Sequence, residues 1–324
     1  MSNNRYLVVK AKGGMGNRML CAVTGVLYGQ VTGKKTIIDW RDGSYSNDGS
    51  NTFSQFFDCS GVYPETILPN DATVNPAIWD GHLDKSMNEM ISRFDPEKHS
   101  SIRIHRKYSI DVRRLDYDED IVIFWYYTGR TEKLKKLLHE GLEGYERLDS
   151  NGIIRKVLTE KMLLHADIRR RIEEFKAKRW PKKVIGVHIR YTDRKTNLAK
   201  YEKQLNRFLK QFPDAHIFLA TDNQEVGCRY REKYDNVFST PKWFPEGMAS
   251  MHQNTGCPDK IENGIEALVD MYLLAECDCL IYSGYSTFSL ISRILSDAKP
   301  KNIVDIDRFN IKVRSKKIIR ELLA

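Results

Sequence analysis

The sequence predicts an α/β fold made of two domains in series, each built from βαβ units. Three observations support this. Short apolar segments alternate with amphipathic helical segments near both ends of the chain, and the alternation restarts after the charge-flanked Pro181. The length of 324 residues suits about two domains. Because strands that alternate with helices form parallel sheets, each domain should carry one.

The first domain, residues 1–180, opens with a clear βαβ unit. A strand over residues 6–11 leads through a glycine-rich turn into a helix that Gly33 ends, and residues 36–39 form the next strand. Residues 41–52 have loop composition, and residues 53–118 show no clean period. Further elements are expected at 121–126 (strand), 132–140 (helix) and 166–178 (helix).

The second domain, residues 181–310, resumes the alternation. Strands are expected at 184–190, 217–221, 279–282 and 302–304, and helices at 198–212, 225–234, 264–276 and from 287, with a long loop at 241–263. The basic segment 311–324 is expected to be a helix that packs back on the first domain. Two such domains predict a cleft lined by the carboxyl ends of the strands.

Composition and charge narrow the class of protein. The net charge of +9 is spread through helices rather than gathered in a tail, which favours a solvated surface over a nucleic-acid partner. No membrane span or signal peptide is evident, so a cytoplasmic location is expected. The six cysteines form no Cys-x-x-Cys motif; Cys228 and Cys257 could pair, but nothing requires it.

The turn after the first strand resembles part of a dinucleotide fingerprint. Gly14 and Gly16 open the helix and Asp39 ends the second strand, but Met19 occupies the place of the third glycine. A nucleotide-dependent oxidoreductase is therefore the alternative enzyme class. A plain turn, or a backbone-lined edge of the cleft, explains the same residues.

Polar residues at three strand ends of the second domain predict an anion site. His188 and Arg190 share one face of an apolar strand, and Asp222 ends the next strand. Ser283 and Ser286 lie in the turn before a helix N-terminus, which favours phosphate. Arg190 could instead serve a salt bridge, and the serines could be simple caps. Together these residues favour a nucleotide-diphosphate site.

Hydrolase and metal chemistry fit less well. Ser286 sits in a turn similar to a nucleophile elbow, but Phe288 replaces the closing glycine and no histidine follows. The acidic triplets 116–118 and 305–307 could hold Mg²⁺ or Mn²⁺ on a diphosphate. Since Arg190 and a helix N-terminus can neutralise that charge, no metal is expected.

These residues resemble a known family of sugar-transferring enzymes. Residues 184–193, 219–223 and 283–286, with Asp270, are similar to the three peptide motifs of the α-1,2/α-1,6/protein-O-fucosyltransferase superfamily. Residues 13–17 and 32–41 look most like the rhizobial nodulation α-1,6-fucosyltransferases. The resemblance implies a GT-B-like fold with two Rossmann-like domains, GDP-fucose as donor, inversion at the anomeric carbon and no metal.

The resemblance also implies roles for individual residues. Arg190 would contact the donor β-phosphate and stabilise the leaving group, and the rest of the donor site would comprise His188, Asp222, Asp270, Tyr285, Ser286 and Thr287. The acceptor side would include Gly14, Gly16, Asn17 and Trp40. Tyr191 stands where α-1,6 members usually carry a second arginine, and no general base is assigned; Glu202 is the nearest carboxylate.

The sequence thus predicts a metal-independent fucosyltransferase that moves L-fucose from GDP-fucose to an oligosaccharide, with no nucleic-acid partner and no membrane span. Asp270 is expected to read guanine, because a carboxylate can accept hydrogen bonds from N1–H and N2–H₂ together; the alternative is that it only caps or pairs within its own helix. A non-catalytic carbohydrate-binding protein is the second alternative, beside the oxidoreductase.

Overall fold

The computed structural model describes residues 5–64, 68–69, 71–98, 104–192, 196–245, 256–311 and 315. The chain divides into two compact units, and the division falls between His165 and Ala166. The restart of the βα alternation after Pro181 predicts a later boundary, at residue 181.

The first unit contains a parallel sheet with strand order β2-β1-β5-β4 in the described residues, and a small antiparallel pair of β3 and β6. Its elements are β1 (Tyr6–Lys10), α1 (Met15–Thr32), β2 (Lys35–Asp39), α2 (Phe53–Phe56), β3 (Phe57–Cys59), β4 (Val74–Asn75), α3 (Met87–Phe94), α4 (His105–Tyr108), β5 (Ile121–Phe124), α5 (Thr131–Gly141), α6 (Ser150–Glu160) and β6 (Met162–Leu164), with short 3-10 turns at Ala77–Trp79 and Pro96–Lys98.

The predicted βαβ unit at the start of the chain is present. All five residues of β1 are buried, and β1 pairs in parallel with both β2 and β5. Helix α1 ends at Gly33, whose φ of 67° is the left-handed conformation that glycine adopts without steric cost. Inside α1, a β-carbon on Gly25 would lie 2.3 Å from Val9 Cγ2, so this glycine lets the helix pack directly on the strand.

The second unit contains a parallel sheet with strand order β11-β10-β7-β8-β9 in the described residues. Its elements are α7 (Ala166–Arg179), β7 (Val184–Ile189), α8 (Leu198–Gln211), β8 (His216–Thr221), α9 (Gln224–Lys233), β9 (Val237–Phe238), α10 (Lys260–Ala275), β10 (Cys279–Tyr282), α11 (Thr287–Leu295) and β11 (Ile303–Asp305), with a 3-10 turn at Pro300–Asn302.

Helix α7 explains why the division falls before residue 181. Its Phe175 lies against Phe218 of β8 and Phe238 of β9, with ring centroids 6.2 and 6.3 Å apart. Its Arg171 and Lys176 form ion pairs with Glu262 and Glu276 at the two ends of α10. The helix therefore packs on the second unit, although the sequence analysis assigned it to the first.

Several other expectations can be compared with the structure. Helix α10 starts at Lys260, capped by Asp259, whereas the sequence predicted its start at residue 264; residues 246–255 of the predicted loop lie outside the described residues. The helix expected at 311–324 lies almost wholly outside the described residues. All six cysteines are free thiols, so Cys228 and Cys257 do not pair. Among the described residues, every helix is too short or too polar to cross a membrane.

Candidate active site

The sequence-predicted donor residues follow three neighbouring strands of the second unit. Strand β7 lies between β10 and β8, and all three run parallel. The carboxyl ends of parallel strands meet at one edge of a sheet, where α/β proteins bind their ligands. The structure therefore brings the polar residues after β7, β8 and β10 to one edge, as the sequence predicted.

His188, near the end of β7, is a buried neutral imidazole. Its ring stacks on Phe288 of α11, with centroids 4.8 Å apart and planes inclined by 18°. Burial, together with the charges of Arg190 and Lys242, lowers the pKa of His188 to about 3. Its Nδ1 has no hydrogen-bond partner in the described part of the chain. Fourteen buried side-chain atoms of the described residues lack a hydrogen-bond partner, and the position of this one beside the strand end that carries Arg190 makes it a candidate ligand contact.

Asp222 joins the ends of β7 and β8. Its two carboxylate oxygens accept hydrogen bonds from the Tyr191 backbone N–H (2.6 Å) and the Thr192 hydroxyl (2.7 Å). Just before them, half-buried Arg190 accepts a hydrogen bond at its carbonyl oxygen from Thr196 Oγ1 (3.1 Å). These bonds fix the backbone that carries Arg190, which gives Asp222 a positioning role whether or not it also contacts a nucleoside.

The turn between β10 and α11 is braced by two aspartates: Asp305, the last residue of the neighbouring strand β11, and Asp307, which follows that strand. Ser283 Oγ donates to Asp307 (2.6 Å), and the Gly284 N–H donates to Asp305 (2.8 Å). The acidic triplet 305–307 therefore holds a turn. No cluster of three or more His, Cys, Asp or Glu residues suited to a metal occurs among the described residues.

Ser286 caps the N-terminus of α11 but makes no side-chain capping bond. Its buried Oγ has no hydrogen-bond partner among the residues that the structure describes. Half-buried Tyr285 and Thr287 flank it. The first amides of a helix have no acceptor within that helix and favour anions. The site thus combines the hydroxyl of Ser286, the N-terminus of α11 and the guanidinium group of Arg190, which follows β7.

Asp270, on α10, is buried and bound by two residues that the sequence analysis missed. It accepts a hydrogen bond from Thr240 Oγ1 (2.5 Å) and forms an ion pair with Lys242. One turn earlier, Glu266 accepts a bond from the Trp243 N–H (3.1 Å). Thr240 and Lys242 lie in a segment without periodicity. The one sequence feature that could have indicated a site here is a lysine, Lys242, placed among Pro241, Trp243 and Phe244.

A cavity of about 190 Å³ lies beside this ion pair. Its walls come from the end of β8, from α9 and from the segment after β9. They include Thr221, Gln224, Arg231, Thr240, Lys242 and Phe244. The cavity therefore adjoins the same sheet edge as His188 and Arg190.

The predicted acceptor-side residues lie in the first unit. Gly14 is the N-cap of α1, followed by Gly16 and Asn17 in its first turn. Trp40 is only 1% exposed and packs its ring on Phe53, Phe56 and Phe57. An acceptor sugar could touch this ring only if the packing opened. A contact between these residues and an acceptor stays a prediction.

Two buried ion pairs occupy the carboxyl ends of β1 and β2. Arg18 pairs with Asp42 and donates to the Gly13 carbonyl (2.7 Å). Lys10 Nζ lies 2.6 Å from Asp39 Oδ2. Both carboxylate oxygens of Asp39 also accept hydrogen bonds from the Arg41 guanidinium. In the oxidoreductase alternative, Asp39 would bind a ribose. Here it neutralises two cations, which disfavours that alternative.

The parallel sheets and the polar strand ends define a glycosyltransferase-like α/β protein, and comparison with solved structures confirms the GT-B-like fold class. A crystal structure of NodZ α-1,6-fucosyltransferase soaked with GDP-fucose matches with a TM-score of 0.60 at 22% identity, over 90% of this chain and 93% of that one. Arabidopsis thaliana FUT1 with GDP matches with a TM-score of 0.53 at 13% identity, over 91% and 69%.

The family follows from a sequence model. The family model for nodulation protein Z (NodZ) matches residues 150–313, and the chain belongs to this family. Nodulation protein Z of Bradyrhizobium diazoefficiens is 24% identical over 91% of this chain and 80% of its own length. The Azorhizobium caulinodans protein of the same name is also 24% identical, over 88% and 87%. The resemblance to the fucosyltransferase superfamily is confirmed.

Proposed function

We propose that this protein transfers L-fucose from GDP-fucose to an oligosaccharide acceptor. The observation that carries the proposal is the pair of buried, unpartnered polar atoms, His188 Nδ1 and Ser286 Oγ, at the sheet edge that also carries Arg190. Buried polar atoms are usually hydrogen-bonded, and these two lie at the edge where the donor is expected, so a bound nucleotide could satisfy both. Membership of the NodZ family, and a NodZ structure soaked with GDP-fucose, support this donor.

The site supplies positive electrostatic potential where the reaction needs it. As the bond between the anomeric carbon and the phosphate oxygen breaks, negative charge develops on the departing GDP. Arg190 and the N-terminus of α11 stabilise this charge, so the residues present can act without a metal. The acceptor hydroxyl forms the new bond on the opposite face of the sugar, releases its proton and inverts the anomeric configuration.

The acceptor is proposed to bind to the first unit. The family implies an oligosaccharide, and the first unit, with Gly14, Gly16 and Asn17 at the start of α1, would contact it. Glu202 is held by Arg229 (2.8 Å) and Lys233 (2.5 Å), and this pairing disfavours it as the base that takes the acceptor proton. A cytoplasmic site of action remains a prediction from the sequence.

A donor and acceptor screen tests this function. The full chain is incubated with GDP-fucose, GDP-mannose, UDP-glucose or NADH, each with and without mixed oligosaccharides. Released GDP and the mass of each oligosaccharide are then measured. We expect a mass increase of one deoxyhexose only with GDP-fucose, and its loss in Arg190→Ala. Oxidation of NADH, or oligosaccharide binding without transfer in any mixture, would favour one of the two alternatives instead.

A further inference from the structure

We propose that Lys242 is a specificity-determining residue that reads guanine together with Asp270. In this arrangement the Lys242 ammonium donates to guanine O6, while Asp270 accepts from N1–H and N2–H₂. The inference rests on the proposed function, since it assigns the base of the GDP-fucose donor. Lys242 lies in the segment after β9, so the proposed donor site includes a residue beyond the ends of β7, β8 and β10.

The ion pair between Lys242 and Asp270 is almost fully desolvated. The two side chains are 5% and 6% exposed. Thr240 binds the other carboxylate oxygen at 2.5 Å, and Glu266 fixes the Trp243 N–H one turn earlier on α10. A buried pair of this kind adds little to stability, because desolvation offsets the attraction between the charges. A role in recognition explains why the pair is buried beside a cavity.

Both partners keep hydrogen-bonding capacity for a ligand. An ammonium group has three donors, and one of them serves Asp270. A carboxylate has about four acceptor positions, and Thr240 and Lys242 use two. Lys242 and Thr240 also line the 190 Å³ cavity. Lys242 therefore presents its ammonium at the wall of a cavity while it is paired with the carboxylate of Asp270.

Guanine is the common base whose edge complements this pattern. Its acceptor O6 lies beside the donors N1–H and N2–H₂, so one acceptor faces the ammonium and two donors face the carboxylate. Adenine would bring its amino group against the ammonium and offer no second donor. Uracil would place a carbonyl oxygen on each side of its only N–H, and one of them would face the carboxylate.

The test compares dissociation constants for GDP, IDP and UDP, measured by calorimetry on the full chain. IDP retains O6 and N1–H but lacks the N2 amino group. Wild-type protein should bind GDP about tenfold more tightly than IDP, since a hydrogen bond to a charged group is lost. Lys242→Met should weaken GDP and IDP by the same factor, about tenfold or more, and leave UDP unchanged. Exposed Lys182→Met is the charge-matched control and should behave as wild type.

In the Lys242→Met protein, Asp270 would be left as a buried charge without its cation, and this could destabilise the fold. The double variant Lys242→Met with Asp270→Asn removes both charges, and it should fold and bind GDP no better than UDP. Two results would overturn the role of Lys242: a folded Lys242→Met protein whose GDP affinity stays within about threefold of wild type, or an equal loss of UDP affinity. The affinities of the wild-type protein for GDP and UDP are compared first. If it does not prefer GDP, the proposed donor itself is wrong, independently of the result for any variant.

Discussion

Gly284 and Asp305 approach so closely that a β-carbon at position 284 would lie 2.3 Å from Asp305 Oδ2. The Gly284 N–H also donates to the other oxygen of this carboxylate, at 2.8 Å. Asp305 thus holds the turn that leads from β10 into Ser286 and α11. The orientation of the expected phosphate-binding turn depends on this contact.

Gly284→Ala should therefore lower transfer activity by displacing the turn. The methyl group has to move Asp305 or the backbone, and either shift moves Ser286 and the N-terminus of α11. We expect a reduction in kcat/KM of about tenfold or more, because small misplacements of positioning groups are costly. Steady-state kinetics with GDP-fucose measures this.

Gly141→Ala is the matched control for that variant. Gly141 ends α5, and no atom lies within 4 Å of a β-carbon at this position. Alanine also has the higher helix propensity. This variant should keep wild-type kinetics. Equal activity of the two alanine variants would show that the Gly284 contact does not position the site.

Arg190→Ala should lower kcat about a hundredfold to a thousandfold, the usual cost of losing one preorganised donor to a developing oxyanion. GDP affinity should change less, because the charge on the diphosphate grows as the bond breaks. Single-turnover and steady-state kinetics, with GDP binding measured separately, distinguish the two effects.

Arg190→Lys should restore only part of the rate, because an ammonium cannot form the two parallel bonds of a guanidinium. A purely structural role for Arg190 predicts a different result, namely a lower melting temperature that accompanies the lost activity. An Arg190→Ala protein with normal stability and turnover within about threefold of wild type would remove this residue from the mechanism.

The burial of His188 should make stability depend on pH on the acid side. Its pKa is lowered from 6.5 to about 3 in the folded protein, so below about pH 6.5 the unfolded chain binds a proton that the folded protein does not. The free energy of unfolding should therefore fall as the pH falls from about 6.5 towards 3. His188→Gln removes this group and should flatten that part of the profile.

Urea denaturation at a series of pH values from about 7 down to 4 measures this slope for wild type and variant. Other titrating groups contribute to both proteins and cancel in the difference. Profiles that run parallel over the whole range would mean that the pKa of His188 is the same in the folded and unfolded states.

Transfer should proceed undiminished in EDTA. The triplet 305–307 is committed to the turn before α11, and Asp116 of the other triplet binds Arg114 at 3.0 Å. The positive potential for the diphosphate comes from Arg190 and the helix N-terminus. The rate is compared before and after chelation and after Mg²⁺ or Mn²⁺ is added. Activity that disappears with EDTA and returns with either ion would contradict this mechanism.

Local signals predicted much of the second unit well. Strand β10 and the start of α11 fall at the predicted residues, because an apolar run, a turn of serines and a helix start follow one another directly. The same local pattern predicted His188, Arg190, Asp222 and Ser286 at one sheet edge. Parallel pairing alone is enough to bring strand ends together.

Contacts between distant residues could not be predicted in this way. The assignment of α7 to the second unit depends on Phe175 meeting Phe218 and Phe238, which no periodicity reveals. The ion pair of Lys242 with Asp270 likewise joins an aperiodic segment to a helix. In the described part of residues 53–118 the elements are short, and aromatic contacts hold several of them: Phe53, Phe56 and Phe57 pack on Trp40, and Trp79 packs on Tyr108.

The unpartnered hydroxyl of Ser286 implies a conflict between stability and activity. A buried polar atom without a partner costs free energy in the ligand-free protein, so alanine at this position should raise the melting temperature there. The same change would remove a contact that nucleotide binding is expected to complete. At this position, the residue that best stabilises the ligand-free fold would therefore differ from the residue that best serves transfer, and thermal selection applied without nucleotide would favour alanine there.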